Sequence, residues 1–324
     1  MRQAVNILML GGAKRVSVAR MLKASGKQLG MDVELFSYEL SREVPVSEEA
    51  TIIVGRRWSD PDVMDDLHKV VSENRIDIIL PFVDPAIGIA AEFCNAENGC
   101  WTPMSDPAMA RMLFDKAEAD SMFRSLGFPV PATAEEAPSG SLIIAKPRNG
   151  SASKGLKVIS AEEYNGMKTS PDCAAYIFQQ YIEPRLEVTV DCYVATDNTV
   201  VCTVPRKRLA VAGGEVTDTE TISDSRIQNL SAEILTRLGL KGAITLQFLC
   251  QKHPDGSTGD PMLMEINPRL GGGVVCSVHA GADIPGFILA DWAGKKLSEC
   301  RRWRQGVRIC RYMQEVVFTP QTQI

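Results

Sequence analysis

The sequence predicts an α/β chain that turns to α+β in its second half. Three observations carry this expectation. Through the first hundred residues, short apolar runs alternate with helical periodicity, the rhythm of a parallel sheet covered by helices. Gly127-Phe128-Pro129-Val130-Pro131 then closes a helical stretch, because proline removes amide donors and glycine accepts the left-handed turn that ends a helix. Beyond it, apolar and polar residues alternate in successive runs separated by turns, as in antiparallel strands with one wet face.

The elements of the first unit follow in order. Residues 5–10 form an apolar strand ending at Gly11-Gly12, 16–27 carry helical rhythm, and 33–38 form a second strand. Residues 51–54 make a strand, Ser59-Asp60-Pro61 opens a helix reaching Glu73, and 76–82 form a strongly apolar strand. A dinucleotide site would need Gly-x-Gly-x-x-Gly, and Lys14 and Arg15 stand where later glycines are required, so Gly11-Gly12 reads as a tight turn. Asp84 lies where open sheets bind ligands, but an Asp-Pro turn is the expectation there.

At 324 residues the chain is long enough for two or three cores. Its net charge of −5 argues against a nucleic-acid surface. Nine scattered cysteines without a Cys-x-x-Cys pair suit reduced thiols in a cytoplasmic protein, not a disulfide scaffold or zinc site. The apolar runs are too short for a membrane span, so neither nucleic acid nor membrane is expected as a partner.

In the second half, Ser105-Asp106-Pro107 opens a short helix and residues 115–126 form another. Residues 142–145 form a strand that delivers Lys146 to the loop Pro147-Arg148-Asn149-Gly150-Ser151-Ala152-Ser153-Lys154-Gly155, followed by a strand at 156–159. Such a loop can turn several amides toward one anion, with Lys146, Arg148 and Lys154 adding charge; a surface hairpin is the alternative. Strands at 176–182 and 187–194 follow, the latter carrying Glu187, Thr189 and Asp191 on one face. Arg206-Lys207-Arg208, after a strand at 200–204, reads as a solvated charge run. An amphipathic helix spans 224–238, and strands at 243–250 and 263–267 form a hairpin across a turn-rich loop. Alternation then sends Glu265 and Asn267 to one side, Met264 and Ile266 to the other, and hairpin pairing brings Gln247 close. Oxygen ligands beside Arg269 suggest Mg²⁺ and phosphate, and Gly271-Gly272-Gly273 lets backbone pass close to a bulky group. His68, His253 and His279 read as structural.

The ordered set resembles the ATP-grasp superfamily, most closely the module in the large subunit of carbamoyl-phosphate synthase and its stand-alone relatives. It comprises Asp115-Lys116 with residues 127–131, Ala145-Lys146-Pro147 with the glycine loop, Gln179-Gln180-Tyr181-Ile182 with Glu187, Gln247, and Glu265-Ile266-Asn267-Pro268-Arg269. The likeness covers residues 105–290. It implies a Rossmann-like pre-ATP-grasp domain over 1–104, subdomain A with the phosphate loop over 105–183, and subdomain B with the metal-binding strands over 184–324, ATP lying between the subdomains. ATP and Mg²⁺, with Mn²⁺ as a substitute, are the implied cofactors. Lys116 and Lys146 would contact the phosphates, and Arg148, Gly150, Ser151, Ser153, Lys154 and Gly155 would close over them. Gln180, Tyr181 and Ile182 would contact adenine, and Glu187 the ribose. Gln247, Glu265 and Asn267 would hold the metal, and Arg269, with Lys146, would serve catalysis at the transferred phosphoryl group.

The implied activity is a ligase that activates a small carboxylate as an acyl phosphate and joins it to an amine. The alternatives are phosphorylation of bicarbonate or carbamate by a stand-alone synthase-like enzyme, and a non-catalytic nucleotide-binding regulator. Two positions depart from the family pattern: Gln180 stands where many relatives carry Glu, and Leu270-Gly271-Gly272-Gly273 replaces a serine-rich turn. Acceptor-side residues are expected around Gly11 to Arg15, Asp84, Arg206 to Arg208 and Gly271 to Gly273. Homodimers are common among such proteins.

Overall fold

The computed structural model describes residues 3–95, 99–150 and 154–319. Its first sheet is built from β1 (Gln3–Leu10), β2 (Met31–Glu39), β3 (Thr51–Val54) and β4 (Ile78–Pro81), in the order β3-β2-β1-β4, with every pairing parallel. Helices α1 (Val16–Leu29), α2 (Val63–Asn74) and α3 (Asp84–Asn95) connect and cover it. Parallel neighbours require crossovers, so β1 from Ile7 onward is buried from both sides: Ile7 and Met9 meet α1, Leu8 and Leu10 meet α2 and α3.

Two short helices follow, α4 (Pro107–Phe114), capped by Asp106, and α5 (Lys116–Ser125), whose N-cap Asp115 accepts from the amides of Ala117 and Glu118. A small antiparallel sheet, β6-β5-β7, consists of β5 (Ile143–Pro147), β6 (Lys157–Ile159) and β7 (Tyr176–Gln180), with α6 (Ala161–Lys168) packed behind it through Tyr164.

The third sheet has six strands in the order β12-β11-β8-β9-β10-β13, all pairings antiparallel. They are β8 (Arg185–Val194), β9 (Val200–Ala212), β10 (Glu215–Thr221), β11 (Gly242–Gln251), β12 (Met262–Asn267) and β13 (Arg308–Cys310). Helix α7 (Ser225–Arg237) covers one face: Val188, Val190, Cys192, Ile244, Leu246 and Phe248 pack there with Ile227, Ile234 and Phe123. The intervening residues of β8, Glu187, Thr189 and Asp191, therefore face the other way. The pair α8 (Val274–Ala280) and α9 (Ile284–Trp292) binds the six-stranded sheet to the first one, with Ile288 and Leu289 in the core shared with Val18 and Leu22. No single helix among the described residues is long and apolar enough to cross a membrane. Cys192, Cys202, Cys250 and Cys276 are buried free thiols that burial pushes above the ordinary cysteine range.

The strands expected from alternation are present, with three departures. Residues 84–95 form a helix beginning at Asp84, not an Asp-Pro turn. The strand expected at 200–204 continues to Ala212, because β10 pairs along its second half. In β12, Leu263 pairs with Phe248 and Glu265 with Gln247, so Met264 is the extra residue of a bulge. The bulge turns Met264 toward the small sheet, while Leu263 and Ile266 enter the core; strict alternation had sent Met264 and Ile266 together.

An ion pair sits inside the large sheet. Arg206 Nε donates to Asp191 Oδ2 at 2.8 Å, and both side chains are 2% exposed. Ser277 Oγ of α8 also donates to Asp191 Oδ2, at 2.6 Å. Gly273 lies directly over this pair: a Cβ there would sit 2.6 Å from the Arg206 guanidinium carbon, and one at Gly271 would sit 2.8 Å from Thr245 Oγ1. The glycines are thus required by close packing of the loop on the sheet. Replacing one partner of a buried pair strands the other charge, at a cost of about 3–5 kcal/mol. Arg206→Met is expected to lose stability of that order in urea unfolding, and Arg206→Met with Asp191→Leu to recover most of it.

Candidate active site

Between the small sheet and the polar face of the large one lies a cleft lined by Asp84 and by residues between Lys116 and Arg269. On the small sheet, Ile143 and Ala145 are buried against α6, so Ile144 and Lys146 face the cleft. On the large sheet, register places Glu265 beside Gln247, Gln247 beside Thr189, and Thr189 beside Arg206, with Asn267 beside Thr245 one row further. The hinge segment Gln180, Tyr181 and Ile182 closes one end, and Ile177, Leu249 and Met264 give apolar walls. Its described lining has six lysines and arginines against three carboxylates, a positive excess in a chain of net charge −5. Such a cleft attracts a polyanion.

Each cation is held differently. Lys146 Nζ donates to Gln179 Oε1 at 2.7 Å, and Gln179 Nε2 in turn donates to Asp120 Oδ1 at 2.7 Å. Burial pushes the Lys146 ammonium down to about 8, with Glu265 and Asp120 opposing the shift. Lys116 begins α5 and donates from Nζ to Gly150 O at 2.6 Å, fastening the start of the glycine loop. Lys154 lines the cleft and is exposed. Arg185 donates to Glu187 at 2.9 Å and Glu183 at 2.6 Å, and lies over the Tyr181 ring at 5.1 Å. Arg269 donates from Nε to Asp84 Oδ1 at 2.6 Å, joining the end of β12 to the first residue of α3. Arg208 lies 3.6 Å from Glu187 Oε2, beyond hydrogen-bond reach.

The structure brings together Lys116, Lys146, Gly150, Lys154, Gln180, Tyr181, Ile182, Glu187, Gln247, Glu265, Asn267 and Arg269 around this one cleft. Arg148 does not join them. Its guanidinium forks onto Asp115, 2.7 and 3.1 Å away, and turns from the cleft toward α5. Against the opposing effect of burial, that fork and the amides of Glu118 and Ala117 hold the Asp115 carboxyl below its usual range. Arg148 thus secures the base of the glycine loop. Gly155 packs beside Pro147 and is not part of the cleft wall. Ser151 and Ser153 lie outside the described residues. His279 is not among the cleft residues; its carbonyl accepts from Arg304.

The local reading of Arg206-Lys207-Arg208 as a solvated run differs from the structure, although the same run is also expected on the acceptor side: Arg206 is buried in the sheet and Arg208 lines the cleft. Arg185 and the apolar walls were missed, although Ile144 could have been found by counting back two from Lys146.

Gln247, Glu265 and Asn267 supply three oxygen donors on one sheet face, the type a hard divalent cation takes. With one carboxylate among them, they suit Mg²⁺ that also takes phosphate oxygens, and not a cage that binds metal alone. Among the described residues no group of three His, Cys, Asp or Glu side chains could hold a metal.

A family model described as ATP-grasp in the biosynthetic pathway with Ter operon matches residues 172–315. Among solved structures, the chain is similar to the biotin carboxylase domain of the Hydrogenobacter thermophilus 2-oxoglutarate carboxylase, determined with MgADP, ADP and bicarbonate. The identity is 15% and the TM-score 0.73, over 94% of this chain and 73% of that one. It is also similar to a Campylobacter jejuni biotin carboxylase, at 17% identity and TM-score 0.72, over 94% and 74%. A third is Staphylococcus aureus N5-carboxyaminoimidazole synthetase bound to ADP, at 15% identity and TM-score 0.70, over 92% and 80%. A search of curated proteins gives no match. The chain has the ATP-grasp fold.

A nucleotide polyphosphate favours charged Lys146, which is charged below about pH 8 and neutral above it. Affinity for MgADP is therefore expected to fall about tenfold between pH 7 and pH 9, as measured by calorimetry. Lys146→Arg, charged throughout, should remove most of that dependence.

Proposed function

We propose that the protein is an ATP- and Mg²⁺-dependent ligase that activates a small carboxylic acid as an acyl phosphate and joins it to an amine. The observation that carries this reading is the joint placement of Lys116, Lys146 and Lys154 on one side of a cleft and Gln247, Glu265 and Asn267 on the other. The division of labour follows the chemistry. Lys146 and Lys116 hold nucleotide phosphates, the glycine loop covers them, Gln180 to Ile182 meet adenine, and Glu187 meets the ribose. Glu265, Gln247 and Asn267 hold Mg²⁺, which when bound neutralises phosphate charge. Arg269, fixed by Asp84, faces the transferred group, so positioning and charge perform the reaction without a side-chain nucleophile.

In this reading residues 1–104 form the Rossmann-like domain before the ATP-grasp unit, and 105–183 and 184–324 its two subdomains. The parallel order β3-β2-β1-β4 and the hinge between β7 and β8 support those boundaries. Acid and amine would enter where the Gly11–Arg15 turn, Asp84 and the Gly271–Gly273 loop converge. Arg15 reaches Glu215 there at 3.0 Å, within contact of Gly272. The scattered reduced cysteines suit a cytoplasmic enzyme.

A second reading takes bicarbonate as the acid, favoured by the similarity to a biotin carboxylase domain determined with that anion. ATP-dependent phosphate release, screened against pooled carboxylic acids and amines and against bicarbonate alone, tests both. Release that needs an acid with an amine supports the ligase; release with bicarbonate alone supports the second reading; none with any pool sinks both. Glu265→Ala and Lys146→Ala are expected to lower turnover at least 100-fold while circular dichroism and melting stay near wild type. Full activity in either variant would remove the proposed roles.

A further inference from the structure

Lys146 is held in the cleft by a chain of side chains that ends outside it. Lys146 Nζ donates to Gln179 Oε1 at 2.7 Å, Gln179 Nε2 donates to Asp120 Oδ1 at 2.7 Å, and Arg124 Nε donates to Asp120 Oδ2, also at 2.7 Å. Arg124 is fixed in turn by the Pro131 carbonyl and by Glu136 at 3.2 Å. Strand pairing and one helical turn bring these groups together. β5 and β7 pair Ile144 with Gln179 and Lys146 with Ile177, so Gln179 is the diagonal cross-strand neighbour of Lys146. On α5, Asp120 stands one turn after Lys116 and shares its side of the helix. The helix therefore serves both lysines: it carries Lys116 and, through Asp120, holds the partner of Lys146.

What such a chain sets is the orientation of the amide in its middle. A glutamine amide has an accepting oxygen and a donating nitrogen of nearly the same shape, and either can be turned toward a lysine. Only the oxygen attracts an ammonium. Gln179 is 4% exposed, so bulk water does not decide between the two. Asp120 does: with Arg124 on Oδ2, its carboxylate offers Gln179 an acceptor at Oδ1 and no donor. Gln179 must present its nitrogen there, which leaves Oε1 for Lys146.

We propose that Asp120 is a positioning residue of the nucleotide site: acting through Gln179, it fixes the Lys146 ammonium where it meets nucleotide phosphate. This rests on the reading of Lys146 as a phosphate contact. The direction of the effect separates this role from simple charge. A carboxylate near a polyanion repels it, so by charge alone the loss of Asp120 would tighten nucleotide binding. Through the amide, the same loss weakens it. In Asp120→Asn, Arg124 keeps the side-chain oxygen and the new amide nitrogen faces Gln179. Gln179 must then turn its oxygen to that nitrogen, and its own amide nitrogen confronts Lys146, donor against donor. Adding Gln179→Glu repairs the fault, because a carboxylate accepts from the new amide and from Lys146 together.

The test uses the full chain and MgADP, with calorimetry for affinity. Asp120→Asn is expected to weaken MgADP binding about tenfold, as is Gln179→Met, which removes both hydrogen bonds at nearly constant volume. The double variant Asp120→Asn with Gln179→Glu is expected to return to within about threefold of wild type, a rescue that a merely structural role for Asp120 would not give. The proposal is overturned if Asp120→Asn binds MgADP as tightly as wild type or more tightly, or if the double variant stays as weak as the single one. Should Asp120→Asn not fold, Gln179→Met carries the comparison, and unchanged affinity there overturns the proposal. A wild type that binds no MgADP would overturn the reading of the nucleotide site and the proposal with it, an outcome distinct from failure of the rescue.

Discussion

Arg206 and Asp191 are almost without solvent contact, and a charge so placed has to be satisfied from within the protein. The elements that satisfy them are those that frame the cleft. Asp191 lies on β8, Arg206 on β9, Ser277 on α8, and Thr219, which accepts from Arg206 at 3.4 Å, on β10. The pair thereby fixes the stacking of α8 on the large sheet and the path of the loop preceding it. Gly271 and Gly273 have no side chain because the sheet rises against them there. The loop that departs from the expected pattern is shaped first by this packing, and Gly272 lies between Arg15 and Arg311.

A second charged contact sets the relation between the first sheet and the cleft. Asp84 and Arg269 are 185 residues apart, yet their 2.6 Å contact places the start of α3 at the end of β12. Both are largely buried, at 10% and 17% side-chain exposure, so the contact is screened less than a surface pair. Arg269 is oriented before any ligand arrives, which lowers the cost of ordering it later. Arg208, similarly enclosed, pairs with Glu187 at 3.6 Å, a looser contact.

Much of the cleft could be read from the chain before its fold was known. The hairpin of β11 and β12 follows from alternation across a short loop, and alternation on each strand turns Gln247, Glu265 and Asn267 to one side. The Met264 bulge was not readable, since nothing in Leu-Met-Glu-Ile-Asn marks the extra residue. The partner of Arg148 was unreadable for a related reason: its charge beside a glycine loop suggested phosphate, while the structure offers it Asp115 from another element. Arg206-Lys207-Arg208 was read as solvated because a run of charge commonly ends a strand, and only β10 pairing shows that the strand continues.

The sequence alone determined whatever depends on local period and chemistry: the strands, the helices beginning near Asp106, Asp115 and Asp224, the lysine before the glycine loop, and the oxygen-bearing strand near the end. These are set by neighbours within a few residues, where alternation and hydrogen-bond capacity act directly. The tertiary structure decided which charges are spent on one another and which remain for a ligand. Asp84 with Arg269, Asp115 with Arg148, Asp191 with Arg206, and Glu187 shared by Arg185 and Arg208 are outcomes of long-range packing. An ionised group has the same formula wherever it stands in the chain, and only its three-dimensional surroundings determine its partner and its solvation.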